Sequence, residues 1–128
     1  MIRNPRFREK LAAVEVELKA LEMTQMRVVA AERTRLPGKP DPASSVLKIK
    51  GSEIQQMTTE LLLDVVGPYA LPYTPEPDDD APLTNEPPIG PDWASSVAPT
   101  YFNWRKVSIY GGSNEIQRNI IAKAILGL

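Results

Sequence analysis

The residues best suited to chemistry lie near the end of the chain, in the run IYGGSNEIQR at positions 109–118. Its two adjacent glycines permit backbone conformations that other residues rarely adopt. Ser113 and Asn114 are both of the types that cap helix N-termini, and Gln117 stands three places after Asn114, a spacing that resembles a capping box. The pattern predicts a helix that begins here and leaves its first N–H groups free.

A helix start of this kind is chemically suited to an anion such as a phosphate, because its free N–H groups and positive dipole end point outward. Glu115 opposes a bare phosphate by its charge. It could instead accept a hydrogen bond from a ribose hydroxyl, or simply stabilise the helix N-terminus. The residues alone leave two interpretations open, an ordinary glycine-rich helix start and a ligand site. A P-loop switch is disfavoured because the P-loop lysine is missing from this run.

The composition excludes several other chemistries. The chain of 128 residues has no His and no Cys, which excludes disulfides, thiolate nucleophiles, Ser-His-Asp triads and Cys/His zinc sites. We identify no catalytic residue and no metal site. Fifteen basic and sixteen acidic residues give a net charge of −1, which argues against a nucleic-acid binder. No apolar run approaches a membrane span, and residues 1–10 are too polar for a signal peptide, so we expect a cytoplasmic protein.

The run at 109–118 must be positioned by helices elsewhere in the chain. Asn4 and Pro5 predict a first helix that reaches about Arg33, with an apolar stripe at Phe7, Leu11, Val14, Leu18 and Leu21. A second helix is predicted to begin at Ser44 or Ser45, either of which would cap it, and to end at Gly67. Gly51 inside this helix indicates the close approach of another helix. Further helices are predicted over about 95–107 and 114–126.

These elements predict one all-α domain over residues 1–128, an up-and-down antiparallel bundle of about four helices. Most of the 13 prolines, together with a run of acidic residues, fall between the second and third helices. Because proline removes a backbone donor and fixes φ, neither a helix nor a central strand can continue there. We therefore expect residues 68–94 to form a long, Pro-rich, acidic and irregular surface loop inside the domain.

Three stretches of the sequence carry a resemblance to a known family. The run IYGGSNEIQRNIIAKAILGL at 109–128 closely resembles the C-terminal end of flavin-dependent acyl-CoA dehydrogenases. Residues 45–71 resemble the preceding helix pair of that family, and residues 4–27 its long helix before them. The resemblance covers nearly the whole chain outside the Pro-rich stretch. It implies a C-terminal bundle that contacts FAD and forms the subunit interface of a homo-oligomer.

In this family FAD and a carboxylate base remove hydrogens from an acyl-CoA substrate, and an electron-transfer flavoprotein accepts the electrons. The resemblance implies that Gly112, Ser113, Asn114 and Glu115 bind the adenosine and pyrophosphate part of FAD. It places Tyr110 and Gly111 beside the acyl-CoA thioester. Gly111 departs from the family branch that carries its base, a Glu, at this position. Two alternatives remain: the base lies on an earlier helix upstream of Met1, or the chain belongs to an inactive or partner-dependent subunit of a mixed oligomer.

Two functions from different classes therefore compete. The first is the C-terminal bundle of an acyl-CoA dehydrogenase, inactive alone because it lacks the domains that orient the substrate and the flavin ring. The second is a stand-alone, non-catalytic helical module for oligomerisation. The broad apolar surface of the first two helices favours the second, since one bundle does not cover all of it. Titration with FAD and measurement of oligomer size distinguish the two.

Overall fold

The computed structural model describes residues 1–34, 41–73, 87 and 89–128. Four α-helices lie in these ranges: α1 (Pro5–Glu32), α2 (Ser44–Val66), α3 (Val97–Trp104) and α4 (Asn114–Ile121). Short 3₁₀ helices cover Gly67–Ala70, Ala94–Ser96 and Arg105–Ile109, and a π-helical turn covers Ala122–Leu126. No strand occurs in the described ranges. The predicted all-α class with about four helices is confirmed.

Helix α2 is central, because α1, α3 and α4 all pack against it. The ion pairs between α1 and α2 give their relative direction. Lys10 pairs with Asp64 at 2.6 Å, whereas Glu17, further along α1, pairs with Lys50 earlier in α2 at 3.0 Å. Since residue numbers rise on one helix as they fall on the other, the two long helices are antiparallel, as predicted.

Helix α1 begins as its sequence predicts. The Asn4 side chain accepts a hydrogen bond from the Arg6 N–H at 3.0 Å, and Pro5 occupies the first helical position. Val14 is buried, whereas Leu18 of the predicted stripe is 52% exposed. The neighbouring Glu17 is half-buried and faces α2 instead, where it pairs with Lys50. The predicted stripe is therefore wrong at Leu18, because an ion pair takes the contact with α2.

Helix α2 begins at Ser44, but neither predicted serine caps it. Ala43 occupies the N-cap and makes no side-chain capping bond, and Ser45 is buried within the first turn. The preceding turn is closed by Asp41, whose Oδ1 accepts from the Ala43 N–H at 2.9 Å. The Asp41 carbonyl also accepts from the Ser44 N–H at 2.9 Å. Asp41 thus organises the helix start from one turn earlier than predicted.

The 68–94 segment has defined structure at both ends. A 3₁₀ helix at Gly67–Ala70 continues directly from α2, and Ala94, at 1% exposure, packs with Val66 and Val97 in the core. Small size suits Ala94 to this position between two helix ends. The central part of the predicted acidic loop, 74–86 and residue 88, lies outside the described residues.

The third predicted helix is wound more tightly than expected. Only Val97–Trp104 has α-helical hydrogen bonding, and 3₁₀ helices flank it on both sides. Pro99 falls in its first turn, where a missing N–H does no harm. None of the helices in the described ranges has the length and apolarity needed to cross a membrane.

Candidate functional site

The start of α4 has a different cap from the one that the sequence suggests. Ser113 is the N-cap residue, and its Oγ accepts a hydrogen bond from the Ile116 N–H at 3.4 Å. Gln117 does not complete a capping box with Asn114. Its Nε2 instead donates to the Gly111 carbonyl at 2.9 Å and closes the glycine turn from outside. The predicted Asn114–Gln117 box is wrong, because the Asn114 side chain points to α2.

Both glycines before the cap adopt backbone conformations that other residues avoid. The φ angle is +62° at Gly111 and +87° at Gly112. A Cβ on Gly112 would lie 3.0 Å from Gln117 Nε2, whereas a Cβ on Gly111 would have no atom beyond its chain neighbours within 4 Å. Both glycines are exposed. The turn therefore presents bare backbone, with open space beside Gly111.

Asn114 is buried, with 7% of its surface exposed. Its Nδ2 donates to Ser52 Oγ at 3.2 Å, and its Oδ1 accepts from Lys48 Nζ at 2.7 Å. The Ser52 hydroxyl is also within 2.7 Å of the Ile49 carbonyl, to which it can donate. These bonds occupy the Asn114 side chain inside the fold. Asn114 can therefore serve an external ligand only through its backbone.

Lys48 and Ser52 were not among the residues that the sequence singled out. They stand four places apart on α2, so they share one face of the helix. Lys48 Nζ also donates to the Ser108 carbonyl at 2.7 Å. About half of the residues of α2 are polar, so this i,i+4 pair does not stand out in the sequence and does not identify its partners.

Glu115 is the exposed acidic group of the site. Its pKa is lowered, first by a hydrogen bond from its own backbone N–H and then by one from the Ser113 hydroxyl. The charges of Arg118 and Lys48 act in the same direction. Arg118 Nη1 lies 3.6 Å from Glu115 Oε1. Glu115 is thus a carboxylate at neutral pH, with two cations nearby to offset its repulsion of an anionic ligand.

Tyr110 and Gly111 border an open groove of about 390 Å³ between α2 and the end of the third helical segment. Its lining residues are Leu47, Lys48, Gly51, Ser52, Gln55, Val107, Tyr110 and Gly111. The close helix approach predicted at Gly51 is wrong, since a Cβ there would have no neighbouring atom within 4 Å. The missing side chain leaves space in the groove instead. Tyr110 is 52% exposed, so its ring is accessible to a ligand.

The turn has the features of an anion-binding helix start, namely bare backbone at positive φ and a helix N-terminus. The exposed Glu115 carboxylate can accept hydrogen bonds from hydroxyl groups. Gly112, Ser113, Asn114 and Glu115 are brought together at one turn. Tyr110 and Gly111 lie on its groove side. Gly111 supplies no carboxylate, so a base cannot act from this position.

Comparison with known proteins gives three concordant matches. The profile of the family described as acyl-CoA dehydrogenase, C-terminal domain, matches residues 1–126. Acyl-CoA dehydrogenase IpdE1 of Mycobacterium tuberculosis is 30% identical over 125 residues, which are 98% of this chain and 27% of that protein. A chain in the crystal structure of the ChsE4–ChsE5 complex from Mycobacterium tuberculosis has the same fold, with a TM-score of 0.68 and 23% identity. That match covers 99% of this chain and 29% of the other.

Proposed function

The chain belongs to the acyl-CoA dehydrogenase C-terminal domain family, and from this membership we propose that it serves as that domain in an FAD-dependent enzyme. The reaction proposed is the α,β-dehydrogenation of an acyl-CoA thioester. The chain spans less than a third of the length of the relatives it matches. Its own contribution is therefore the binding of part of the flavin nucleotide and a surface for subunit association.

The structural observation that supports this proposal is the glycine turn that opens α4. Gly111 and Gly112 hold positive φ, Ser113 caps the helix, and the next residues lead directly into its first turn. This arrangement leaves backbone N–H groups at the positive end of a helix for the FAD pyrophosphate. We assign the contacts to Gly112, Ser113 and Glu115, and to the backbone of Asn114.

When bound, FAD supplies a hydride acceptor for the Cβ–H of the acyl chain. Tyr110 and Gly111 would border the thioester, where the absence of a side chain at Gly111 leaves room for the substrate. The proton on Cα needs a carboxylate from elsewhere, either on an earlier helix of a longer chain or on another subunit of a mixed oligomer. An electron-transfer flavoprotein is the proposed electron acceptor.

The proposal is tested by calorimetric titration of the 128-residue chain with FAD, and with ADP as a probe of the nucleotide half. We expect weak but saturable binding of both. Ser113→Ala should weaken FAD binding roughly two- to tenfold, because the side-chain cap that holds the start of α4 is lost. Ser96→Ala is the control, because Ser96 also precedes an eight-residue helix but its side chain makes no capping hydrogen bond. Equal FAD affinity in both variants, or no binding by the wild type, would contradict the proposed site.

A second candidate is supported by the apolar surface that the single chain leaves uncovered. The exposed large apolar residues of α1 are Val16, Leu18, Met23, Met26 and Val29, each at least half exposed. Patches of this kind are typical of association surfaces. The chain could therefore act as a stand-alone oligomerisation module, or pair with itself as part of the dehydrogenase.

Light scattering combined with FAD titration separates the two functions. A dehydrogenase domain is expected to respond to FAD when it assembles into homo-oligomers. A module for association alone is expected to form stable dimers or tetramers that do not respond to FAD at any concentration. A monomer that binds FAD would contradict the association module and leave the flavin-binding role in place.

A further inference from the structure

A single ammonium group connects both ends of the glycine turn to α2. Lys48 Nζ donates to the Ser108 carbonyl and to Asn114 Oδ1, each at 2.7 Å. These two acceptors flank residues 109–113, which contain both positive-φ glycines. Both distances are typical of charge-assisted hydrogen bonds. Lys48 therefore bridges the two ends of the turn, and it lines the same groove as Gly111.

The position of this charge is adverse for the helix itself. A helix N-terminus carries a partial positive charge, so a nearby cation is unfavourable there. Lys48 is close enough to the start of α4 to contribute to the lowered pKa of Glu115. A neutral donor would hold the same two acceptors without this repulsion. An anionic ligand at the turn would be attracted by both the helix N-terminus and Lys48, and these attractions would offset the repulsion.

We propose that Lys48 is a positioning residue for the flavin nucleotide: it fixes the turn 108–114 in its binding conformation and adds positive potential beside it. This inference rests on the proposed function, since it names a residue that acts on the same site. Lys48 acts through Ser108 and Asn114, and neither the sequence pattern nor the family resemblance assigned it a role.

Three variants of the 128-residue chain test the inference. Lys48→Met removes the charge and both hydrogen bonds while it keeps the length of the stem. Lys48→Arg keeps the charge and two donors. Lys50→Met is the matched control, since Lys50 stands two places further on the same helix and pairs with Glu17 and Glu53 at its surface. Amide hydrogen exchange without ligand and the Kd for FAD are measured for each.

We expect exchange of the amides in 109–116 to rise roughly tenfold in Lys48→Met, with the Kd for FAD raised by a similar factor. Lys48→Arg should show nearly wild-type amide exchange and a nearly wild-type Kd for FAD. Lys50→Met should change neither the exchange nor the Kd. If Lys48→Met does not fold, Lys48→Gln, which keeps an uncharged donor, is expected to protect the turn in part and to bind FAD more weakly.

Two results would overturn the inference. One is wild-type exchange at 109–116 in Lys48→Met, or a rise spread evenly over α1 and α2, which would indicate a general loss of stability. The other is a loosened turn with an unchanged Kd for FAD. If the wild type itself does not bind FAD, the proposed function fails, whereas the exchange data still decide whether Lys48 positions the turn.

Discussion

Asn114 and Ser52 are hydrogen bonded at 3.2 Å although 62 positions separate them in the chain. Both are buried, at 7% and 4% exposure. The first residue of α4 is thereby attached to the middle of α2, directly beside the exposed glycine turn. Asn114, which attaches α4 to α2, is therefore next in sequence to the glycine turn that is proposed to bind the ligand.

Replacing Asn114 tests this attachment. Asn114→Ala leaves Lys48 without one of its acceptors and removes the donor to Ser52, and buried groups that lose their partners cost about 1–3 kcal/mol each. We expect the free energy of unfolding to fall by roughly 2 kcal/mol in urea titrations. Asn119→Ala is the control, since Asn119 is exposed on the same helix and should change stability by less than about 0.5 kcal/mol. Equal effects of the two would contradict the attachment.

Arg105 fixes the third helical segment to α2. Its Nη2 donates to the Gln56 carbonyl at 2.9 Å and to Thr59 Oγ1 at 3.0 Å, and its guanidinium lies 4.3 Å from the centre of the Tyr101 ring. The pair with Glu60, whose side chain is 56% exposed, contributes little because water screens it. The stabilisation therefore comes from the hydrogen bonds that the planar guanidinium group donates to α2 and from its contact with the Tyr101 ring.

We expect Arg105→Met to lower the free energy of unfolding by about 2 kcal/mol. The loss is limited because the buried Nε of Arg105 has no hydrogen-bond partner within the described residues, and methionine removes that unsatisfied donor. Arg105→Lys should recover less than half, since lysine lacks the planar fork. Arg118→Met serves as control, because Arg118 is exposed and its ion pairs are 3.6 Å long. Chemical denaturation of all three would be compared.

Gly90 and Gly51 should respond in opposite directions to replacement by alanine. Gly90 has a φ of +88°, and a Cβ there would lie 2.7 Å from atoms of the Tyr69 ring. Gly51 is inside α2 with open space beside it. We expect Gly90→Ala to destabilise the fold by at least about 1–2 kcal/mol. Gly51→Ala should stabilise it by up to about 1 kcal/mol. If both substitutions changed the thermal stability in the same direction, the environment described for one of the two glycines would be wrong.

The helices were predictable because their signals are local. The cap at Asn4, the proline after it and the start of α4 all depend on a few neighbouring residues, and the structure confirms them. The inward face of α1 was less predictable, since the choice between Leu18 and Glu17 depends on the position of Lys50 in another helix. The core role of Ala94 likewise depends on contacts with Val66 and Val97.

The candidate turn could be predicted from the sequence, but the residues of α2 that hold it in place could not. Ser113 and Asn114 are both helix-capping types, so the sequence could not indicate which of them caps and which points inward. The decision comes from Lys48 and Ser52, which supply a buried donor and acceptor for the Asn114 amide. Such pairings across more than 60 positions have no local signature.

The titration of Glu115 offers the last test of the helix start. Because the pKa of this carboxyl is lowered in the folded chain, its ionised form stabilises the fold. That stability is fully present above the ordinary glutamate pKa and is lost as the pH falls through the lowered folded value. The difference in unfolding free energy between the wild type and Glu115→Gln should therefore shrink over this acidic range.

The Ser113 hydroxyl is one of the two hydrogen-bond donors that lower this pKa. Ser113→Ala should consequently raise the pKa of Glu115 towards its ordinary value, while the bond from the backbone N–H of Glu115 keeps part of the shift. NMR titration of the Glu115 carboxyl carbon measures the change directly. An unchanged pKa in Ser113→Ala would mean that the hydroxyl does not donate to Glu115 and that, within the fold, it only caps α4 at the Ile116 N–H.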